Sequence, residues 1–223
     1  MRFDGILCDL DGTLVDSEAI HLEAWNSVIV RGGHMPSSDW NDECIGLPDY
    51  VASNKILRLY PGVAELGDIR KVKADTFLEM AVSRAKELIF PGVREKLVEL
   101  SEAGIPLAVC TNSIMRNTRA VLEASELIGF FAALVTIDAV SEGKPHPAIY
   151  RTGAAKLGLA PDRCLVVEDS AAGIASGKAA GCGVVAGVTN TWNRDKLPGA
   201  DMYFSDTPSA LSLVLDGKAA HVE

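Results

Sequence analysis

The stretch Phe3-Asp4-Gly5-Ile6-Leu7-Cys8-Asp9-Leu10-Asp11-Gly12-Thr13-Leu14-Val15-Asp16-Ser17 decides how the chain is read. Ile6, Leu7 and Cys8 form a short apolar run, the pattern of a buried strand. Asp9 and Asp11 follow at i and i+2, and such residues of an extended segment point to the same side. Two carboxylates that close repel each other unless a cation or a shared proton compensates. A hard divalent ion such as Mg2+ takes oxygen ligands and suits the pair. Gly12 lets the backbone turn away and lets a ligand approach. An ordinary acidic turn after a strand is the competing reading of these residues taken alone.

Beyond this stretch the pattern is helical. Ala19, Leu22, Trp25, Val28 and Ile29 recur at spacings of three and four, which predicts a helix from Ser17 to about Arg31. Asp16 or Ser17 serves as its N-cap, and Gly32-Gly33 ends it. Gly46 and Pro48 break the pattern around Trp40 to Pro48. Further helices are expected from Asp49 to about Tyr60 and from about Asp68 to Lys86. No strand-like run lies between Ser17 and Leu88, so about 70 residues form a helical block inserted after the first strand.

From Phe90 the texture changes. A helix through Val93, Leu97 and Leu100 leads to strands at Ile105 to Cys110, Ala133 to Ile137, Cys164 to Glu168, Val184 to Ala186 and Met202 to Phe204. Helices are expected between them, from Met115 to Glu126, Pro147 to Leu157 and Ser170 to Ala180, and a last one from Pro208 to Leu215. Alternating strands and helices predict βαβ units and a parallel sheet. The fold class expected is α/β, a Rossmann-like parallel sheet core over residues 1–15 and 88–223, with an α-helical insert over 16–87.

Ligands of such open sheets sit outside the carboxyl ends of the strands. The polar residues here collect there. Strand one ends at Asp9 and Asp11, strand two at Thr111-Asn112-Ser113, and strand four at Glu168-Asp169-Ser170; Lys144 lies in the loop after strand three. A carboxylate nucleophile, a metal, a hydroxyl donor and one cation can hold and neutralise a phosphoryl group, so the set suits phosphoryl transfer.

Asp9-x-Asp11-Gly12-Thr13, Thr111-Asn112, Lys144-Pro145 and Glu168-Asp169-Ser170, in this order, resemble the four motifs of the haloacid dehalogenase-like superfamily. The match is to its phosphohydrolase and phosphomutase branch, which carries a helical cap after the first motif. The resemblance implies that Asp9 attacks phosphorus to give an aspartyl-phosphate. Asp11 would protonate the leaving oxygen and then activate the hydrolytic water. Mg2+ would be held by Asp9, the backbone carbonyl of Asp11 and Asp169, with Glu168 a ligand or a partner of the ligands. Thr111 and the backbone at Asn112 would bond the phosphoryl oxygens, with Gly12 close to the substrate. Lys144 would pair with Asp9. Dehalogenases of the superfamily lack the second aspartate, so Asp11 speaks against dehalogenation.

The cap should choose the substrate. His21 and Trp25 share a face of the first cap helix, an arrangement that resembles β-phosphoglucomutases and related sugar-phosphate phosphatases. Gly46 lies in the loop that would face the substrate. Those mutases have an arginine in this loop for a second phosphate, where this chain has Asp49, and a Lys-Asn pair where it has Ile114-Met115. The expectation is therefore hydrolysis of a small phosphate monoester, a sugar or polyol phosphate, with a β-phosphoglucomutase-like mutase as the alternative. Related phosphonate hydrolases use a cap lysine as a Schiff base; Lys55, Lys71 and Lys73 lie in the cap, and exposure is the default for helix lysines.

Bulk properties limit the partners. Net charge is −9 over 223 residues, which argues against a nucleic-acid surface built from clustered Lys and Arg. No apolar run reaches the length of a membrane span, and no signal-peptide pattern opens the chain. A cytoplasmic enzyme is expected, a monomer or weak homodimer acting on a phosphorylated metabolite. Cys8, Cys44, Cys110, Cys164 and Cys182 show neither C-x-x-C nor zinc spacing and read mainly as small buried hydrophobes.

Overall fold

The computed structural model describes residues 3–44 and 49–219. The chain divides into two compact units, Met1–Asp16 with Lys86–Glu223, and Ser17–Ala85. Helices α1 (Glu18–Arg31), α2 (Ser38–Cys44), α3 (Asp49–Leu59) and α4 (Ile69–Arg84) belong to the smaller unit; α5 (Val93–Glu102), α6 (Met115–Ala124), α7 (Ala148–Lys156), α8 (Ala171–Ala180) and α9 (Thr207–Ala219) belong to the larger.

Strands β1 (Gly5–Cys8), β2 (Leu107–Cys110), β3 (Ala133–Val135), β4 (Cys164–Glu168), β5 (Val184–Val188) and β6 (Met202–Phe204) form a six-stranded sheet in the order β3-β2-β1-β4-β5-β6. Every pairing in it is parallel, as the α/β expectation requires. Every residue of β1, β2, β4 and β5 is buried, the reason these strands read as continuous apolar runs rather than alternating ones. Leu7, Ala108, Cys110, Val166 and Val185 pack with Ile149, Tyr150 and Ala154 of α7 and Ile174 of α8. Helix α9 packs along β1, β4, β5 and β6 and against α5.

The third strand ends at Val135 instead of Ile137, where a 3-10 turn begins, and two further strand boundaries differ from expectation for local reasons. The second strand begins at Leu107 instead of Ile105. Pro106 has no N–H for the ladder, and its carbonyl accepts from the Ile6 N–H at 3.0 Å. The fifth runs on through Gly187 and Val188, which pair with Tyr203 and Phe204. A side chain at Gly187 would press on Ala200 and Tyr203, so this glycine permits a close approach and does not end the strand.

The smaller unit packs around Trp25, Val28, Ile29, Trp40, Ala52, Ile56, Val63 and Ile69. Helix α4 begins at Asp68, whose carboxylate accepts from the N–H groups of Arg70 and Lys71, a regular N-cap. Helix α2 stands in the region where the sequence shows only a broken pattern. Ser37 Oγ accepts from the Trp40 N–H at 3.1 Å, and the buried Trp40 indole donates to Asn26 Oδ1 at 3.0 Å, so one capping hydroxyl and one anchored indole stabilise a helix too short to show periodicity. Gly46 and the rest of its loop lie outside the described residues.

Cys8, Cys44, Cys110 and Cys164 are buried and Cys182 is half-buried, all as free thiols. Burial pushes Cys44, Cys164 and Cys182 up, to about 11, 11 and 12. Among the described residues no helix is long and apolar enough to cross a membrane.

Candidate active site

Strand β1 lies between β2 and β4, so the carboxyl ends of these three strands are side by side. From β1 the chain builds β2 and β3 on one side, then crosses to β4 on the other, which makes this edge a topological switch point. The ladder extends one residue past each strand: the Asp9 N–H donates to Val167 O at 3.0 Å and the Thr111 N–H to Val135 O at 2.9 Å. These bonds fix the main chain from which the first reactive side chains project.

The last residue of β4, Glu168, and the residue after it, Asp169, enter the same cluster. Oxygens of Asp9, Glu168 and Asp169 lie within 4.8 Å of one another, all three residues buried. Lys144 Nζ lies 2.6 Å from Asp9 Oδ1 and 2.5 Å from Glu168 Oε1. Asn112 fixes the other end of this lysine. Its side-chain oxygen accepts from the Lys144 N–H at 2.9 Å, and its amide donates to the Lys144 carbonyl at 3.3 Å.

Asp11 is half-buried, and Ser113 Oγ donates to its Oδ2 at 2.7 Å. Thr111 is buried, and its hydroxyl oxygen accepts from the Ser113 N–H at 3.0 Å. Gly12 has φ +75°, and a Cβ there would lie 1.9 Å from Asp169 Oδ2. Its N–H donates to Val15 O at 2.8 Å and its carbonyl accepts from Asn190 at 3.2 Å. Both backbone groups are thus bonded within the protein, and Gly12 supplies the turn and the space for Asp169.

The electrostatics follow from burial. Removal from water pushes the Asp9 carboxyl up, to about 8; Lys144 pulls it back, while Glu168 and Asp11 add to the rise. Burial works against the charge on Lys144, but Asp9 and Glu168 outweigh it and hold the ammonium above its ordinary range. Burial, with Glu168 alongside, likewise keeps the Tyr150 phenol protonated. Three buried carboxylates around one ammonium leave an excess of negative charge, which a divalent cation with oxygen ligands would neutralise. The donor set fits such an ion.

Glu168 is already fully engaged. Its Oε1 takes Lys144 and the Tyr150 hydroxyl at 2.7 Å; its Oε2 takes the N–H and Oγ of Ser170 at 3.0 and 2.9 Å. Ser113 and Ser170 stand in the strand-end groups that the sequence singles out but receive no role there, and Tyr150, Asn190 and Thr207 are absent from the site as the sequence predicts it. Asn190 Nδ2 bonds the carbonyls of Gly12 and Thr13, and Thr207 Oγ1 donates to the Thr13 carbonyl at 2.6 Å. Asn190 follows β5 at the same sheet edge, so the strand-end rule, carried one strand further, finds it. Nothing in the sequence around Tyr150 or Thr207 separates them from ordinary helix residues.

His21 and Trp25 lie in the smaller unit. Trp25 is buried in its core. His21 stacks on Phe77 with ring centroids 4.1 Å apart, and its Nδ1 lies 2.7 Å from Lys73 Nζ. Lys73 departs from expectation: it is 2% exposed. Its nitrogen lies 2.8 and 3.1 Å from the two oxygens of Asp49 and 5.6 and 5.4 Å from the Trp25 and Phe77 ring centroids. Two aromatic rings lie beside its ammonium and a carboxylate compensates its charge, which overrides the usual exposure of a helix lysine.

The parallel α/β core gathers carboxylates, a hydroxyl and a buried lysine at one switch point, the setting of a hydrolase site. Residues 3–181 match the family model described as haloacid dehalogenase-like hydrolase, and the chain belongs to that family. It is 38% identical over 190 residues to hexitol phosphatase A of Escherichia coli, covering 83% of each chain. It is 30% identical over 219 residues to protein CbbY of Rhodobacter capsulatus, covering 94% of this chain and 96% of that one. A crystal structure of β-phosphoglucomutase from Clostridium difficile superposes with a TM-score of 0.79 over 99% of both chains at 20% identity, a likeness of fold.

Proposed function

We propose that the protein is a Mg2+-dependent phosphatase that hydrolyses a small phosphate monoester, a sugar or polyol phosphate, through an aspartyl-phosphate on Asp9. The observation that carries this reading is the contact of Lys144 Nζ with Asp9 Oδ1 at 2.6 Å, within the cluster that also holds Glu168 and Asp169.

In the first half-reaction an Asp9 carboxylate oxygen bonds to phosphorus as the bond to the leaving oxygen breaks, and Asp11 gives its proton to that oxygen. In the second, Asp11 takes a proton from water, the water oxygen bonds to phosphorus, and the Asp9–phosphorus bond breaks to restore the carboxylate. Ser113 holds Asp11 in place for both transfers. Lys144 offsets the charge gathered at Asp9, and the Thr111 hydroxyl and the main chain at Asn112 donate to the phosphoryl oxygens. Mg2+, held by Asp9, Asp169 and the Asp11 carbonyl, would supply charge neutralisation of the phosphoryl oxygens.

The 38% identity to a hexitol phosphatase supports a polyol or sugar phosphate as substrate. The mutase alternative needs a cap cation for a second phosphate. Asp49 stands where the resemblance implies an arginine, and it is paired with Lys73, so this pair offers no net positive charge. Lys73 is shared between Asp49 and His21 instead of presenting a lone amine to a carbonyl, which gives no support to Schiff-base chemistry.

The test is phosphate release from a panel of sugar, polyol and glycolate phosphates with and without Mg2+. Turnover of a monoester that needs Mg2+ and is lost in Asp9→Asn is the expected result. Full activity in excess chelator, or in Asp9→Asn, would refute the mechanism. Conversion of a sugar 1-phosphate into the 6-phosphate without phosphate release would establish the mutase.

A further inference from the structure

Tyr150 is fully buried on α7, among Leu7, Ala108, Cys110 and Ile149. A phenylalanine would fill that apolar space without the cost of burying a hydroxyl. The hydroxyl instead donates to Glu168 Oε1 at 2.7 Å, and Lys144 Nζ lies 5.0 Å from the centre of the Tyr150 ring. Glu168 itself is 0% exposed. A Cβ on Gly173 would lie 1.7 Å from Glu168 Oε1, so α8 passes directly against the carboxylate. With Ser170 on Oε2 and Tyr150 on Oε1, the carboxylate is pinned at both oxygens.

Lys144 Nζ is therefore divided between a pinned acceptor, Glu168, and the acceptor that must react, Asp9. Without the Tyr150 hydroxyl, Oε1 would have Lys144 as its remaining donor, on a side chain with no exposed surface. An under-bonded buried carboxylate attracts the nearest cation more strongly, and Nζ would be drawn from Asp9 toward Glu168.

We propose that Tyr150 is a positioning residue: its hydroxyl holds Glu168 Oε1 so that Lys144 Nζ stays shared with Asp9, and Glu168 serves as the bracket for Lys144. The kinetic arm of its test rests on the phosphatase reading; the spectroscopic arm does not.

The test is Tyr150→Phe, which keeps the ring and its packing. In metal-free protein the buried Lys144 ammonium should give a slowly exchanging 15N signal, assigned by its loss in Lys144→Arg. In Tyr150→Phe this signal should shift or broaden. With substrate and Mg2+, kcat should fall about tenfold while KM stays within about twofold, the loss of one bond to a charged group acting mainly on the chemical step. Tyr203→Phe is the control, since it also removes a hydroxyl bond in the same apolar cluster, to Leu197 O at 2.8 Å; it should lower stability and leave both readouts alone. A Tyr150→Phe protein that loses stability as Tyr203→Phe does, yet keeps the Lys144 signal and kcat, would overturn the proposal. If the wild type releases no phosphate from any monoester, the phosphatase reading fails, and the Lys144 signal still decides the role of Tyr150.

Discussion

Asn112 grips Lys144 by its main chain, accepting from its N–H at 2.9 Å and donating to its carbonyl at 3.3 Å. The lysine is thus held at both ends, by Asn112 at the backbone and by Asp9 and Glu168 at the ammonium. Asn112→Ala removes both backbone bonds and leaves the ammonium on a loosened loop. The expected outcome is a fall in kcat/KM of about 10- to 100-fold, since small misplacements of catalytic groups carry penalties of that order. Steady-state kinetics check it; a rate within twofold of wild type would show that the clamp is not needed.

Gly12→Ala should be more damaging than its size suggests. The position has φ +75°, and the new methyl would lie 1.9 Å from Asp169 Oδ2. The left-handed conformation alone costs an L-residue about 1–2 kcal/mol, and the Asp169 carboxylate must also move. Melting should drop by about 2–4 °C per kcal/mol lost in a chain of this length. Mg2+ affinity, measured by calorimetry, should fall as well. Unaltered Mg2+ binding would argue against Asp169 as a ligand.

The buried acids make stability depend on pH and metal together. Asp9 has an ordinary value of 3.8 and is pushed up to about 8 in the folded protein. Between those values the folded state keeps a proton that the unfolded chain has released. Its contribution is therefore fully present below 3.8 and is lost as pH rises toward 8. A cation needs the ionised ligands and competes with that proton. Mg2+ should raise the melting temperature more at about pH 8 than at about pH 5; equal stabilisation at both would contradict it. Asp138, Asp201 and Asp206 are held below the usual carboxylate range, so their contributions are lost only at more acidic pH.

In the smaller unit, Lys73→Ala leaves Asp49 without its partner and opens space between the Trp25 and Phe77 rings. Lys73→Met keeps most of the stem. Because the Asp49 side chain is 47% exposed, water can take over part of its solvation, and the lost pair itself should cost about 1 kcal/mol. The lost packing makes Ala the worse substitution, so melting should fall in the order wild type, Met, Ala. Equal loss in both variants would mean that charge, not packing, holds this lysine.

Ser113→Ala tests the bond to Asp11. With its 2.7 Å partner gone, the carboxylate can leave the pose from which it moves protons. The rate should fall about 3- to 30-fold with KM little changed, the range expected for one hydrogen bond to a charged group. A rise in KM alone would assign Ser113 to substrate binding.

What the sequence determined is what periodicity and strand ends can carry. The apolar run at Ile6 to Cys8, the repeated alternation of strand and helix, and the uninterrupted helical stretch after Ser17 give the parallel sheet and the insert, because each is a local pattern with its own period. Asp9, Asp11, Thr111, Lys144, Glu168 and Asp169 were legible because a parallel sheet brings every strand's carboxyl end to one edge. The tertiary structure decided which groups meet across distant chain segments. Tyr150 on Glu168, Asn112 on Lys144, Asn190 on Gly12 and Lys73 between two rings each depend on a pairing that no local spacing encodes. Asp9-x-Asp11 remains the centre of the site, but its setting comes from the fold: burial removes the water that would screen its charge, and a lysine more than a hundred residues away supplies the compensating cation.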